Sequence, residues 1–350
     1  MTRIAAVEVD APAYVLTAER AAAELAPFLP ERASTRLARL IEESRIATRH
    51  LVAPIPELAR PRTVQERTDA LVEHAVPLAT SVARRALESA RMSPAQVDAI
   101  VCVTSTSFVV PSLDAQIARD LGLPPSCRRV PINQLGCSGG VAGIGLAADL
   151  VADRDDRTVL VVAVEVPSLS LPTQEPSLTD LAACCLLGDG AGAAVVTGCG
   201  DPSESGFDVL ATRTLLFPEV REGGGARLTE GGFRMVSAVG LPRVARARLR
   251  PSVAEFLAPL GLALEDISLW AINPRSPQIL EAIGDALDLS ADDLAPSWTA
   301  WSRYGNTISA TVYFILDTLR TEVRPPAGAL GILLSFGAGV TCEMALVRWR

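Results

Sequence analysis

The 350-residue chain is predicted to be an α/β protein made of two similar halves. Strand-like apolar runs alternate with helix-like segments along the first half. Turn residues cluster at 198–202, and a second α/β unit follows them. The hydrophobic fraction is 49%, which is enough for a substantial buried core. These observations favour βαβ units in a globular fold.

In the first half, the N-terminal residues 1–9 alternate like a strand. Apolar runs of strand length follow at 98–104, 158–165 and 192–197. Between the first two of these runs, residues 139–151 are rich in glycine, alanine and leucine. That composition is typical of a helix packed on all sides.

The second half repeats this alternation of strands and helices. Its predicted elements are a loop around 222–225, a helix near 252–260, a strand at 267–273, a helix near 309–320, and two closing strands near 331–335 and 343–349. Functional residues at the strand ends of both halves would place Cys137 opposite Asn273 and Asn306 across a pseudo-two-fold axis. No clear sequence repeat links the halves.

The charge composition excludes several classes of protein. The net charge is −8, and nucleic-acid binding needs a basic face, so nucleic acid is not expected as the main partner. All 32 basic residues are arginine, which rules out a Schiff-base lysine and a P-loop. Any phosphate on a substrate must be held by arginine or backbone amides.

The apolar runs and cysteines set further bounds. No run approaches the roughly 20 residues that span a bilayer, and the N-terminus does not read as a signal peptide, so a cytoplasmic protein without membrane contact is predicted. The seven cysteines are odd in number and lack metal-binding spacing. No disulfide framework, metal or cofactor is expected.

Two short segments carry the chemistry. Cys137 lies between glycines at the start of the small-residue helix, where the positive helix end favours a thiolate and glycines let a thioester approach. Asn306 follows Gly305 in a Tyr-Gly-Asn segment. A cysteine nucleophile with an amide donor predicts thioester chemistry.

These segments occur in a recognisable order: Gly136-Cys137, Gly188-Asp189-Gly190-Ala191, Asn273-Pro274, Gly305-Asn306 and the late loop 336–339. Through most of its length the chain resembles type III polyketide synthases, the chalcone synthase-like branch of the thiolase-fold condensing enzymes. The resemblance implies a thiolase-like fold with two pseudo-symmetric halves in αβαβα layers. Residues 1–200 would contain the nucleophile, and residues 201–350 would contain Asn273 and Asn306.

The resemblance also implies a homodimer that uses acyl-CoA and malonyl-CoA type substrates through a Cys-His-Asn triad. Cys137 would accept the starter acyl group, and the other two residues would hold the thioester carbonyl of the extender. Cys137 and Asn306 match this triad, whereas Asn273 occupies the histidine position. An asparagine amide can donate a hydrogen bond but cannot act as a base.

Asn273 therefore leaves several interpretations open. The first is an acyltransferase that loads Cys137 and condenses the acyl group with an extender. The alternatives are a catalytically weakened acyl-CoA-binding partner and a non-decarboxylating acyl-transfer enzyme. Asn273 is also compatible with an engineered replacement of histidine.

The resemblance assigns further positions beyond the triad. The substrate pocket would include Leu187, Met235 and Ile308, although ordinary core packing explains the first two nearly as well. Arg36 and Arg39 would contact the CoA phosphates. Arg275 and Ser276 stand where the family often has two glycines, which would narrow or charge the CoA passage.

Overall fold

The computed structural model describes residues 2–152, 154, 156–171, 176–198, 205–218, 220, 224–229, 232–236 and 239–350. Its strands are β1 Arg3–Asp10, β2 Tyr14–Thr17, β3 Thr48–Leu51, β4 Ala99–Thr104, β5 Arg128–Asn133, β6 Thr158–Glu165, β7 Gly190–Thr197, β8 Phe207–Leu216, β9 Gly225–Thr229, β10 Gly232–Val236, β11 Ile267–Ile272, β12 Leu330–Phe336 and β13 Thr341–Trp349.

The α-helices alternate with these strands along both halves. They are α1 Ala18–Leu25, α2 Glu31–Ser44, α3 Ile55–Leu58, α4 Val64–Ser89, α5 Leu113–Leu121, α6 Gly139–Val151, α7 Leu178–Leu186, α8 Leu241–Leu257, α9 Pro277–Leu287, α10 Ala291–Tyr304 and α11 Thr311–Thr318.

The main sheet shows that the two halves are related. Its strand order in the described residues is β11-β12-β13-β8-β1-β7-β6-β4-β5. In the first half, β4 runs parallel to β6, β6 antiparallel to β7, and β7 antiparallel to β1. In the second half, β11 and β12 are parallel, and β12–β13 and β13–β8 are antiparallel. The same succession occurs twice, as expected for two pseudo-symmetric halves.

The helices complete five layers. α6 and α11 lie between the two halves of the sheet, where Ile144 and Ile315 share a buried cluster with Val161 and Val347. On the outer face of the first half, α4 packs against β1, β6 and β7. On the outer face of the second half, α8 and α9 pack together and share a cluster with β12. This is the predicted αβαβα arrangement.

Most predicted elements appear close to their expected bounds, and the largest difference is at α8. This helix begins at Leu241 rather than near 252, and Pro251, directly before the expected start, lies inside it. Pro242 lies in the first turn, where its missing N–H costs no hydrogen bond. The predicted boundary between 200 and 201 and part of the loop at 222–225 lie outside the described residues.

Strand ends from both halves of the sheet meet near Cys137. β5, β11 and β12 each end just before a segment that lies close to Cys137, so strand ends from both halves converge there. Among the described residues, no helix is both long and apolar enough to cross a membrane.

Candidate active site

Cys137 lies in a single 3₁₀ turn, Gly136–Ser138, directly before α6. Gly136 has a φ of +62°, which glycine adopts without steric cost, and its N–H donates to Ser105 Oγ at 2.9 Å. The Cys137 residue is only 8% exposed. The turn therefore presents a buried thiol at the N-terminal end of a helix.

The glycines after Cys137 have a different use from the one expected. A Cβ on Gly139 would lie 2.7 Å from Val103, and one on Gly140 would lie 2.1 Å from the Ser309 carbonyl oxygen. No side chain fits in that space. Gly139 thus brings α6 against β4, and Gly140 brings it against Ser309 in the Asn306 segment of the other half. The expected role of these glycines was to let a thioester approach.

Asn306 faces the thiol directly. Its Nδ2 and Oδ1 each lie 3.7 Å from Cys137 Sγ, and the residue is 3% exposed. Oδ1 accepts from the Ile308 N–H at 2.9 Å, and Nδ2 donates to the Arg275 carbonyl at 3.3 Å. These bonds fix the amide orientation and leave Nδ2 with a second N–H near the sulfur.

Asn273 also lies beside Cys137 but points to the backbone. Its Nδ2 donates to the carbonyls of Ile308 at 2.8 Å and Cys137 at 3.2 Å, and its Oδ1 accepts from the Arg275 N–H at 3.2 Å. The residue is 0% exposed. Both amide hydrogens are thus committed to main-chain oxygens, and the side chain joins three segments of the site.

Burial dominates the electrostatics of the nucleophile. Burial raises the pKa of the Cys137 thiol, and the Glu165 carboxylate raises it further. The Arg275 guanidinium and the hydrogen bond from Asn306 lower this pKa by less than burial raises it. The free protein consequently holds Cys137 mainly as a thiol at neutral pH. This direction is opposite to the one expected from the helix end.

Two buried carboxylates support the loops around the site. Glu165 accepts from the Ser105 N–H at 2.9 Å and from Ser309 Oγ at 2.5 Å, and burial raises its pKa to about 7. Asp189 accepts from the N–H groups of Val52 and Ser168, and burial raises its pKa to about 6. Both carboxylates hold backbone near the site.

The three predicted pocket residues are placed differently. Ile308 contacts both asparagines through its backbone, and Leu187 forms a backbone bridge with Asn306. Met235 lies in β10 and donates its N–H to Asp180, in the first turn of α7. Leu187 follows the other end of that helix, about 10 Å along its axis. The structure groups Leu187 and Ile308 with the triad positions and ties Met235 to the far end of α7.

Arg36 and Arg39 lie on the exposed face of α2, which packs against α7. Arg39 pairs with Glu43 at 2.7 Å, one helical turn further on. The pair is open to water, so a phosphate can compete for Arg39.

Neither histidine replaces the missing base. His50 Nδ1 lies 2.7 Å from the Pro12 carbonyl oxygen, and His74 lies within α4. A contact that the sequence did not reveal comes from Ser335, whose Oγ donates to the Cys137 carbonyl at 2.7 Å. Ser335 sits in β12 without a recognisable motif, so its role depends on the fold.

Comparison with known families matches both halves. The model for the N-terminal domain of chalcone and stilbene synthases matches residues 31–202, and the model for the C-terminal domain matches residues 209–349. Two relatives match most of the chain. A 1,3,6,8-tetrahydroxynaphthalene synthase from Streptomyces peucetius subsp. caesius is 37% identical over 316 residues, covering 89% of this chain and 83% of the relative.

The second relative is an alpha-pyrone synthesis polyketide synthase-like protein, Pks18, from Mycobacterium tuberculosis. It is 32% identical over 327 residues, covering 90% of this chain and 83% of the relative. Among solved structures, the tetrahydroxynaphthalene synthase from Streptomyces coelicolor A3(2) has a TM-score of 0.93 at 28% identity and covers 99% of each chain. PKS-I from the brown alga Ectocarpus siliculosus has a TM-score of 0.92 at 27% identity, covering all of this chain and 98% of its own.

These matches confirm the predicted thiolase-like α/β fold and the predicted family. They span both halves and include the segments with Cys137, Asn273 and Asn306. The chain belongs to the chalcone and stilbene synthase family, the type III polyketide synthases.

Proposed function

We propose that this type III polyketide synthase loads an acyl group from an acyl-CoA onto Cys137 and condenses it with a malonyl-type CoA extender. The observation that supports it most is the buried pair of Cys137 Sγ and the Asn306 amide, 3.7 Å apart. A thiol is the soft nucleophile that acyl transfer needs, and an oriented amide donor stabilises an oxyanion.

The steps balance without a cofactor. The Cys137 thiolate attacks the acyl-CoA carbonyl, and CoA thiolate leaves. The extender then loses carbon dioxide, and the resulting enolate attacks the acyl-cysteine carbonyl and expels the Cys137 thiolate. Asn306 Nδ2 is the proposed donor to the carbonyl oxygen on which negative charge develops.

Family membership supports a condensing enzyme over the alternatives of a weakened acyl-CoA-binding partner or a non-decarboxylating acyltransferase. The intact Cys137–Asn306 pair supports it as well. One relative is named for a naphthalene product and the other for an α-pyrone. For this chain they therefore support condensation in general and not a particular product.

We further propose a cytoplasmic homodimer in which Arg36 and Arg39 bind CoA phosphates. An apolar surface on the loop between β4 and α5 supports association, because Val110 is 98% exposed and Phe108 is 52% exposed. Sedimentation at about twice the monomer mass is expected. A monomer at micromolar concentration would contradict the dimer.

Intact-protein mass spectrometry tests the loading step. Incubation with a panel of acyl-CoAs should add one acyl mass, and malonyl-CoA should then extend or release it. Cys137→Ala should abolish the adduct. Cys127→Ala is the matched control, because among the described cysteines Cys127 alone is not buried, and it should still load. An adduct that persists in Cys137→Ala and disappears in Cys127→Ala would show that Cys127, and not Cys137, is the nucleophile.

A further inference from the structure

The replacement at position 273 removes a charge as well as a base. A protonated imidazole beside a thiolate stabilises it, but an asparagine amide is neutral at every pH. In this structure Asn273 also directs both amide hydrogens to main-chain carbonyls. Any positive charge near Cys137 must therefore come from another residue.

Arg275, two residues beyond Asn273, is held by both asparagines of the site. Its N–H donates to Asn273 Oδ1 at 3.2 Å, and its carbonyl accepts from Asn306 Nδ2 at 3.3 Å. It adopts a φ of +59°, which is uncommon for a residue with a side chain. These bonds use only the Arg275 backbone, so they hold its position whatever side chain it carries.

The Arg275 side chain reaches the backbone next to the nucleophile. Its guanidinium donates to the Gly337 carbonyl at 3.0 Å. Gly337 packs against the turn that contains Cys137, since a Cβ on Gly337 would lie 2.0 Å from Ser138 Oγ and 2.4 Å from the Leu135 carbonyl oxygen. The guanidinium is thereby fixed at the edge of the Cys137 turn.

Two charged groups of the described residues act on the thiol. The Arg275 guanidinium lowers the pKa of Cys137, and the Glu165 carboxylate at the end of β6 raises it. The other side chains that bond to this turn are neutral, and they are those of Ser105, Asn273, Asn306, Ser335 and Thr341. Arg275 is thus the cation in the electrostatic environment of Cys137.

We propose that Arg275 supplies the positive charge that stabilises the Cys137 thiolate, in place of a histidine, and that Asn273 is a positioning residue that holds Arg275 and the Cys137 carbonyl. Arg275 accepts no proton, so the thiol proton passes to solvent or hydroxide. The inference rests on the proposed function only in taking Cys137 as the nucleophile.

Alkylation of Cys137 by iodoacetamide, measured across about pH 6 to 10 and located by peptide mass spectrometry, tests this without any CoA ester. Arg275→Gln keeps a donor for the Gly337 carbonyl but removes the charge. It should slow alkylation at neutral pH roughly tenfold and move the pH profile upward. Arg275→Lys keeps the charge and should stay within about threefold of wild type. Alkylation of Cys127 provides the internal reference for folding.

An unchanged pH profile in Arg275→Gln would overturn the inference, as would an Arg275→Lys profile as shifted as that of Arg275→Gln. The outcome is separable from the proposed function. A shifted profile in a protein that never loads an acyl group would leave Arg275 in its role and refute the acyltransferase. Normal acyl loading of the wild type, together with an unshifted alkylation profile in Arg275→Gln, would support the acyltransferase and refute the role of Arg275.

Discussion

The turns at 272–275 and 305–308 each bring an asparagine to Cys137, and the two side chains are used differently. Asn306 places Nδ2 at 3.7 Å from Sγ, with its Oδ1 anchored by the Ile308 N–H. Asn273 turns its Nδ2 to the carbonyls of Cys137 and Ile308. The same amide thus faces the Cys137 sulfur in one turn and links backbone segments in the other.

This difference shows how the site tolerates asparagine at the histidine position. A buried carbonyl or N–H without a partner costs about 1–3 kcal/mol, and Asn273 satisfies two carbonyls and one N–H at once. Neutral imidazole has only one donor. At position 273 the amide therefore suits structural support, while at position 306 it suits the proposed role of a donor to the substrate carbonyl.

Removing the donor at Asn306 should have the largest effect. Asn306→Ala should lower the rate of malonyl-CoA decarboxylation roughly 10²- to 10³-fold, the loss typical of one oxyanion-hole donor. Single-turnover release of carbon dioxide from malonyl-CoA measures the step. Asn273→Ala, the matched change in the other turn, should lower this rate much less. Equal losses in both variants would remove the functional difference between the turns.

Restoring histidine at position 273 should have an intermediate effect. The sequence alone predicts that Asn273→His speeds Cys137 loading by roughly tenfold to a hundredfold and lowers its pH optimum, because a base returns to the thiol. Asn273→His also removes hydrogen bonds that Asn273 makes to the backbone. We therefore expect the loading rate to rise by about tenfold or less, and the unfolding free energy to fall by about 1–3 kcal/mol. Stopped-flow loading and urea denaturation measure the two quantities.

A hundredfold gain with unchanged stability would show that the backbone contacts of Asn273 are dispensable. Unchanged or reduced loading would instead make asparagine an adapted residue. We expect Asn273→His to change the decarboxylation of malonyl-CoA less than it changes loading, because the Asn306 donor is retained.

The smallest effect concerns the support beneath the 305–308 turn. Glu165 accepts from Ser309 Oγ, and its pKa is raised from an ordinary 4.5 to about 7 by burial. The folded protein therefore binds this proton more tightly than the unfolded chain, so stability should fall as pH rises from about 4.5 through 7. Glu165→Gln should reduce the change in unfolding free energy between about pH 4.5 and 7 by roughly 1–3 kcal/mol. Urea denaturation at several pH values measures it, and an identical slope in both proteins would contradict the assignment.

Several elements of the fold could be read from local sequence patterns. The strand predicted at 158–165 and the helix predicted at 139–151 match β6 and α6. Both are short apolar segments whose composition is determined by burial on all sides. They can therefore be predicted from the local sequence, without knowing which elements pack against them. The start of α8 was less predictable, because Pro251, which directly precedes the expected start, lies inside the helix.

The sequence by itself determined the family, the nucleophile candidate and the replacement at position 273, because these are matters of residue identity and order. Tertiary structure decided what those residues do. Asn273 bonds to Ile308 and Cys137, 35 and 136 positions away, and Arg275 bonds to Gly337, 62 positions away. The direction of a buried amide follows from which backbone groups lack partners in the folded protein, and that depends on segments distant in sequence.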